Sequence, residues 1–220
     1  MIDIHSHLLP GIDDGSESLE ISLQMARDAV ADGVTHALMT PHHMNGRYVN
    51  HASDVIKLTA DFQTELNNAN IPLTVFPSQE VRINGGLLSA LDDGDILTTD
   101  EQGTYILIEF PSDDVPAFTM DMLFQIQQRG LVPIIVHPER NTRLMEEPQL
   151  LYDMVSRGAY AHYIPGRKYE MTAAFDKLKA AYGSDSAKQF DDNAKALVNG
   201  ERLSRQHQTP IKKKRFFSAY

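Results

Sequence analysis

Apolar and polar positions along the 220 residues fall into short runs that alternate between two periods. MIDIH at 1–5, VTHALMT at 34–40 and TYILIEF at 104–110 read as strands, as do parts of PLTVFPSQEV at 72–81 and VPIIVHPER at 132–140. Helical spacing lies between them. Ser16 or Ser18 caps a helix that presents Leu19, Leu23, Ala26 and Val30 on one face and ends at Gly33. Residues 53–68 align Val55, Leu58, Phe62 and Leu66; residues 116–129 carry Phe118, Met122, Leu123 and Ile126; residues 146–157 form one more helix, closed by Gly158. TYILIEF is apolar almost throughout, the pattern of a strand covered on both faces. Repeated strand–helix alternation predicts a parallel α/β architecture.

Composition narrows this picture. A hydrophobic share of 42% supports one domain with a sizeable core, which we assign to 1–205. The tail 206–220, QHQTPIKKKRFFSAY, is basic. It reads as a solvated extension or as an anchor for an acidic partner or anionic lipid, so membrane contact is expected only indirectly or through this tail. The chain has no cysteine, which excludes disulfides, thiolate metal sites and cysteine nucleophiles. A formal net charge of −10 argues against a nucleic-acid partner. No apolar run approaches the ~20 residues of a membrane span. The N-terminus lacks a basic stretch followed by an apolar one, so the expected compartment is the cytoplasm.

The candidate chemistry sits where each strand ends. The first strand yields His5 and His7, with Asp13 and Asp14 close behind; the second yields His42 and His43 after Pro41. The third supplies Glu80, the fourth Glu109, and the fifth His137 within His-Pro-Glu-Arg. Active sites of α/β folds gather at the C-terminal ends of parallel strands. Imidazoles and carboxylates without thiolate suit Zn, Mn, Fe or a similar divalent ion. A carboxylate such as Glu109 can bridge two ions about 3.5–4 Å apart. His5 and His7 flank Ser6 on a strand and so share a face. Structural roles compete for some of these residues. Glu109 can belong to an ion pair, as can Glu139 beside Arg140. His43 is either a ligand or a group supporting one. His36 reads as a core or interface residue, His51 and His207 as surface residues, and Asp13 as a turn residue.

MIDIHSHLLPGIDDG, TPHH, QEVRI, YILIEF and HPERN, in that order, resemble the manganese-dependent tyrosine-protein phosphatases of Gram-positive capsule and exopolysaccharide operons. These belong to the PHP (polymerase and histidinol phosphatase) superfamily. The resemblance implies a distorted PHP-type (β/α) barrel with a two- or three-metal cluster at the strand C-termini. Manganese is the implied ion, with Fe, Zn or Mg as alternatives. His5, His7, Asp14, His42, Glu80, Glu109, His137 and His162 match the metal ligands, and Arg140 and Arg167 match phosphate-binding arginines. The implied substrate is phosphotyrosine on the tail of a bacterial tyrosine kinase that controls polysaccharide synthesis. A phosphoesterase acting on a small ester such as histidinol phosphate is the alternative enzyme. A catalytically impaired kinase-binding scaffold is the alternative of another class.

One segment departs from the family pattern. The family carries Ser-Asp-x-His on a late strand, whereas here GAYAHYIPGR places Tyr160 two residues before His162. About one β/α unit is missing between Gly158 and His162. The expected consequences are a barrel open by a strand, a metal ion short of one carboxylate, His162 without the strand that positions it, and activity reduced or lost.

Overall fold

The computed structural model describes residues 1–100 and 102–162. Arg167, His207 and the tail 206–220 lie outside the described residues. The elements alternate as the polarity pattern predicts: β1 (Ile2–Ser6), α1 (Leu19–Ala31), β2 (His36–Met39), β3 (His42–His43), α2 (Ala52–Asn68), β4 (Thr74–Pro77), β5 (Glu80–Arg82), α3 (Leu87–Asp92), β6 (Tyr105–Glu109), α4 (Thr119–Gln128), β7 (Val132–Val136), a 3-10 turn (Pro138–Arg140), α5 (Thr142–Glu146), α6 (Pro148–Ser156) and β8 (Tyr160–His162). All ladders are parallel, in two sheets ordered β1-β2-β4 and β3-β5-β6-β7-β8.

The two sheets are one surface with a sharp bend. β2 and β3 are separated by Thr40 and Pro41, and β4 and β5 by Ser78 and Gln79. Pro41 has no N–H to give the ladder, so regular pairing breaks there. Two bonds carry the pairing across the break: Ser78 N–H to the Met39 carbonyl at 2.9 Å, and Glu80 N–H to the Pro41 carbonyl at 3.1 Å. The single segment expected over 72–81 is therefore two strands, the second of which places Glu80.

Three apolar layers hold this surface. α1 and α2 cover β2 and β4 through Ala26, Ala29, Val55, Phe62 and Leu66 against Ala37, Met39 and Val75. α4 and α6 cover the other sheet through Met122, Leu123, Ile126 and Met154 against Ile106, Ile108 and Ile135. On the inner side, Tyr105, Leu107, Ile134 and Val136 pack with Ile4 and Tyr160. Ile4 of β1 thus meets β6, β7 and β8 across the interior, although no ladder joins β1 to β8 among the described residues. Among the described residues the sheet curls without closing on that side.

Local expectations are refined in three places. α1 starts after Ser18, whose Oγ accepts from Ile21 N–H; of its expected face Ala26 is buried and Leu23 and Val30 pack against the core, whereas Leu19 is exposed and Ser22 and Ala29 complete the buried stripe. Small residues let this helix lie close to the sheet, and Ser22 Oγ bonds to Ser16 Oγ at 2.8 Å within the contact. Phe118 precedes α4 and is 41% exposed instead of belonging to the buried face. The helix expected over 146–157 is α6, begun by Pro148, and the short α5 that precedes it was not anticipated.

β8 also revises the reading of the GAYAH segment. Tyr160, Ala161 and His162 pair in unbroken register with Ile134, Ile135 and Val136. The His162 carbonyl accepts from His137 N–H at 2.7 Å. His162 therefore does not lack a positioning strand: β8 carries it directly beside β7.

Candidate metal centre

The site begins with an irregularity in β1. Asp3 pairs with Ala37 and Ser6 with Met39, so three steps on β1 match two on β2. This bulge inserts one residue and re-aims the chain. It allows Ile4 to join the inner apolar layer while His5 and His7 still reach the cleft above it. Ser6 turns the other way and donates to the Leu38 carbonyl at 2.7 Å.

The loop after β1 then locks His7. Its Nδ1 donates to Asp13 Oδ2 at 2.6 Å, and the same carboxylate accepts from Gly15 N–H at 2.9 Å and His42 N–H at 3.2 Å. Asp13, with a side chain 1% exposed, is a positioning residue and not merely a turn residue. A carboxylate behind an imidazole fixes its tautomer and leaves the other nitrogen free to face the site. The DDG spacing was the available signal: two adjacent carboxylates, only one of which can point inwards. Asp14 takes the outward place, 58% exposed, with Oδ1 at 3.2 Å from His42 Nε2. Gly15 is required here, since a Cβ would lie 2.4 Å from both the Cβ and the carbonyl oxygen of His7.

Glu80 is the centre. It is 0% exposed. Its Oε2 lies 2.9 Å from His5 Nε2, 3.1 Å from His7 Nε2 and 3.3 Å from His42 Nδ1, while Oε1 lies 2.6 Å from His137 Nε2. Burial alone would raise its carboxyl, but the charge of His5 and bonds with His137, His5 and His7 hold it well below the ordinary range. The same environment separates the histidines. Burial opposes the charged form of His7, yet its bonds to Asp13 and Glu80 carry it up to about 10. Burial lowers His5, more than Glu80 restores. Burial opposes His42 too, but Glu109 and Glu80 raise it.

Two further strand ends complete the arrangement. Glu109 Oε2 is 3.4 Å from His42 Nδ1. Arg82 grips the same carboxylate with two contacts of 2.9 Å, Nε to Oε2 and a terminal guanidinium nitrogen to Oε1. Both roles weighed for Glu109 are thus present: it faces the cluster and belongs to an ion pair. Arg82, in the QEVRI motif, was not singled out from the sequence. Its period-two relation to Glu80 on β5 was the signal available. His137 has left-handed backbone, φ 32° and ψ 54°, uncommon for a side chain with a Cβ. That turn, directly before Pro138, aims the imidazole back at Glu80. His162 and His137 each place their ring centroid 5.6 Å from that of His5. Burial, with His5 and His137 beside it, pushes His162 down to about 3.

His7, Asp14, His42, Glu80, Glu109 and His137 line a cleft of about 440 Å³, with Phe110, Ser112 and Asn141 along its wall. Arg140, on the 3-10 turn, stands at the same cleft, exposed and without an ion pair among the described residues. His36 stacks on Phe76 at the start of β2, 6.1 Å between centroids, away from the cleft. His43 points off the opposite side of β3, towards Asp95. It is no member of the cluster.

The donor set fits divalent cations. His5–His7–Glu80, His7–Asp14–His42 and His42–Glu80–Glu109 each bring three ligand atoms within 4.8 Å of one another. The triplets share His7, His42 and Glu80, the pattern of adjacent ions with common ligands. Buried His5 Nδ1 and His162 Nδ1 have no hydrogen-bond partner among the described residues, and burying so much ionisable chemistry is costly unless charges compensate it.

Parallel strands delivering imidazoles and carboxylates to one cleft define a PHP-like metal-dependent hydrolase architecture. Residues 1–163 match the family model "Capsular polysaccharide synthesis, CpsB/CapC", and the chain belongs to that family. It is 32% identical to the tyrosine-protein phosphatase YwqE of Bacillus subtilis over 255 residues, covering 100% of both chains. It is 29% identical to the putative tyrosine-protein phosphatase CapC of Staphylococcus aureus, covering 99% of each. A chain from the crystal structures of YwqE from Bacillus subtilis and CpsB from Streptococcus pneumoniae, described as unique metal-dependent tyrosine phosphatases, superposes with a TM-score of 0.87 at 32% identity. That match covers 94% of this chain and 97% of the other. The alignment to YwqE spans 255 positions against 220 residues here, so it opens gaps in this chain. No described helix is long and apolar enough to cross a membrane.

Proposed function

We propose that this chain is a metal-dependent protein-tyrosine phosphatase of capsular polysaccharide synthesis. Its substrate in this reading is the phosphotyrosine tail of a bacterial tyrosine kinase, and manganese is its working ion. A kinase tail is phosphorylated where ATP is, so the cytoplasm is the compartment. The observation that carries the reading is Arg140, with no ion pair among the described residues, beside the Glu80-centred cluster, in a chain that aligns along its whole length with a tyrosine-protein phosphatase.

His5, His7, Asp14, His42, Glu80, Glu109, His137 and His162 would hold the ions. Bound ions would supply an acidified water as nucleophile and positive charge for the phosphoryl oxygens. The chain's own residues do the remaining work. Asp13 holds the His7 tautomer so that Nε2 faces the cleft. Arg82 holds the Glu109 carboxylate in one orientation. Arg140 offers a planar pair of donors to two phosphoryl oxygens, and Arg167 joins it by resemblance. The leaving phenol has a pKa of about 10, so it departs without a strong general acid. A cleft open to solvent accepts a side chain displayed on an extended tail.

A second reading, an impaired enzyme that still binds the kinase, is favoured by Tyr160. It occupies the position two before His162 and packs against Tyr105 at 6.2 Å instead of supplying a carboxylate. One assay separates the readings: turnover of a phosphotyrosine peptide and of histidinol phosphate with Mn²⁺, with bound metal measured in parallel. Peptide turnover that His5→Ala abolishes supports the phosphatase. Better turnover of histidinol phosphate would replace it with a small-ester enzyme. Kinase-tail binding without turnover would establish the scaffold.

A further inference from the structure

A second group of metal-ligating side chains lies on the far side of β3. His42 and His43 are neighbours on that strand, so they face opposite ways. His42 enters the cluster. His43 faces a separate cavity of about 340 Å³, also lined by His51 and Asp95. The His43 side chain is 1% exposed, and neither of its ring nitrogens has a hydrogen-bond partner among the described residues. A neutral imidazole always carries one donor and one acceptor, so burying both unmade costs free energy that a ligand in the cavity would recover.

His51, immediately before α2, and Asp95, after α3, complete the group. Asp95 Oδ1 accepts from Ala52 N–H at 2.9 Å, which anchors the carboxylate. Its Oδ2 then stands 2.7 Å from His51 Nδ1 and 3.7 Å from His43 Nε2. The two imidazoles meet edge to face, with centroids 5.9 Å apart. Ligand atoms on a tetrahedral ion with bonds of 2.0–2.1 Å stand about 3.4 Å apart. The His43–Asp95 separation is close to that value, whereas the 57% exposed His51, already bonded to Asp95, has to turn its ring to bring a nitrogen to the same point.

We propose that His43, His51 and Asp95 form a second divalent-metal site of the zinc type, separate from the catalytic cluster. Two imidazoles and a carboxylate are a borderline donor set that selects such ions, and the cavity mouth leaves a further position for water. An ion there ties β3 to the start of α2. It stands back to back with His42, on the opposite face of the strand.

The full-length chain, His51→Ala and His43→Gln are equilibrated with Zn²⁺ alone. Bound zinc per chain is counted by elemental analysis, and thermal unfolding is followed with and without the ion. Each variant is expected to hold one ion fewer than the parent chain and to gain less in Tm from zinc. His51→Ala, which touches nothing in the catalytic cleft, is expected to keep parental turnover of a phosphotyrosine peptide with Mn²⁺. Equal zinc counts in all three proteins would overturn the site. So would a loss confined to His43→Gln, because that pattern traces to disturbance of neighbouring His42.

Discussion

The two ends of the candidate metal cluster are built differently. At the N-terminal end, the bulge in β1, the tight Gly15 turn and the Asp13 carboxylate over-determine where His7 points. At the C-terminal end, His162 lies on β8, which pairs with β7 alone among the described residues, and its Nδ1 has no hydrogen-bond partner among them. One end has its ligand orientation set before any ion arrives. The other depends on the ion, or on packing alone, to hold its imidazole. The difference follows from position in the sheet. β1 is braced by a long loop that folds back on it, whereas β8 has a ladder partner on one side among the described residues.

Glu80 joins the two ends, so removing its charge is the largest perturbation available. Glu80→Gln leaves four imidazoles around a neutral amide. It is expected to lose bound metal and to lower kcat/KM by ~10³-fold or more, a larger loss than any single orienting residue causes. Elemental analysis and peptide turnover measure both effects; a variant that keeps its metals would show that Glu80 is not the shared ligand.

Gly15→Ala attacks the pre-set end alone. The added methyl collides with His7 backbone and Cβ, so a stability loss of about 1–3 kcal/mol is expected from overpacking, together with weaker metal binding. Urea denaturation of the metal-free chain reads the first effect. If stability is unchanged there, the loop is looser than this geometry states.

The direct comparison uses Asp13→Asn against His162→Gln. Asp13→Asn keeps a hydrogen-bond acceptor but loses the charge behind His7, and a ~10–100-fold drop in metal affinity is expected. His162→Gln removes a ligand from the end lacking such support, and a smaller drop is expected. A larger effect of His162→Gln in metal titrations would reverse the assignment of which end is stronger.

The ends also respond oppositely to pH in the metal-free chain. His7 is raised to about 10 from 6.5, so its stabilising contribution is complete below 6.5 and is lost as pH rises towards 10. His162 is lowered to about 3 from 6.5, so the unfolded chain binds the extra proton, and stability is lost as pH falls from 6.5 towards 3. The expected profile of unfolding free energy against pH is a modest maximum near 6.5. A profile that climbs steadily to pH 10 would contradict the charged state of His7.

Much of the site was legible because its residues lie at strand ends. His5, His7, Glu109 and His137 close or follow apolar strands, while His42 and Glu80 open the short strands that continue β2 and β4, and a parallel α/β fold brings such positions to one edge. Facing was not legible. His42 and His43 look alike in sequence, yet one enters the cluster and the other leaves it. Asp13 and Asp14 also look alike, and loop closure onto His7 decides which is buried. Arg82 reads as an ordinary strand cation until β6 pairs beside it and presents Glu109.

The amino-acid sequence by itself determined the α/β alternation, the donor types, the absence of thiolate and the order in which ligands arrive. Those follow from local periodicity and from the chemistry of single side chains. Tertiary structure decided the rest: the bulge that turns β1, the meeting of Arg82 with Glu109 and the placing of His162 by β8. Each depends on pairing between segments distant in the chain, and a change of one residue in register sends a ligand to the opposite face.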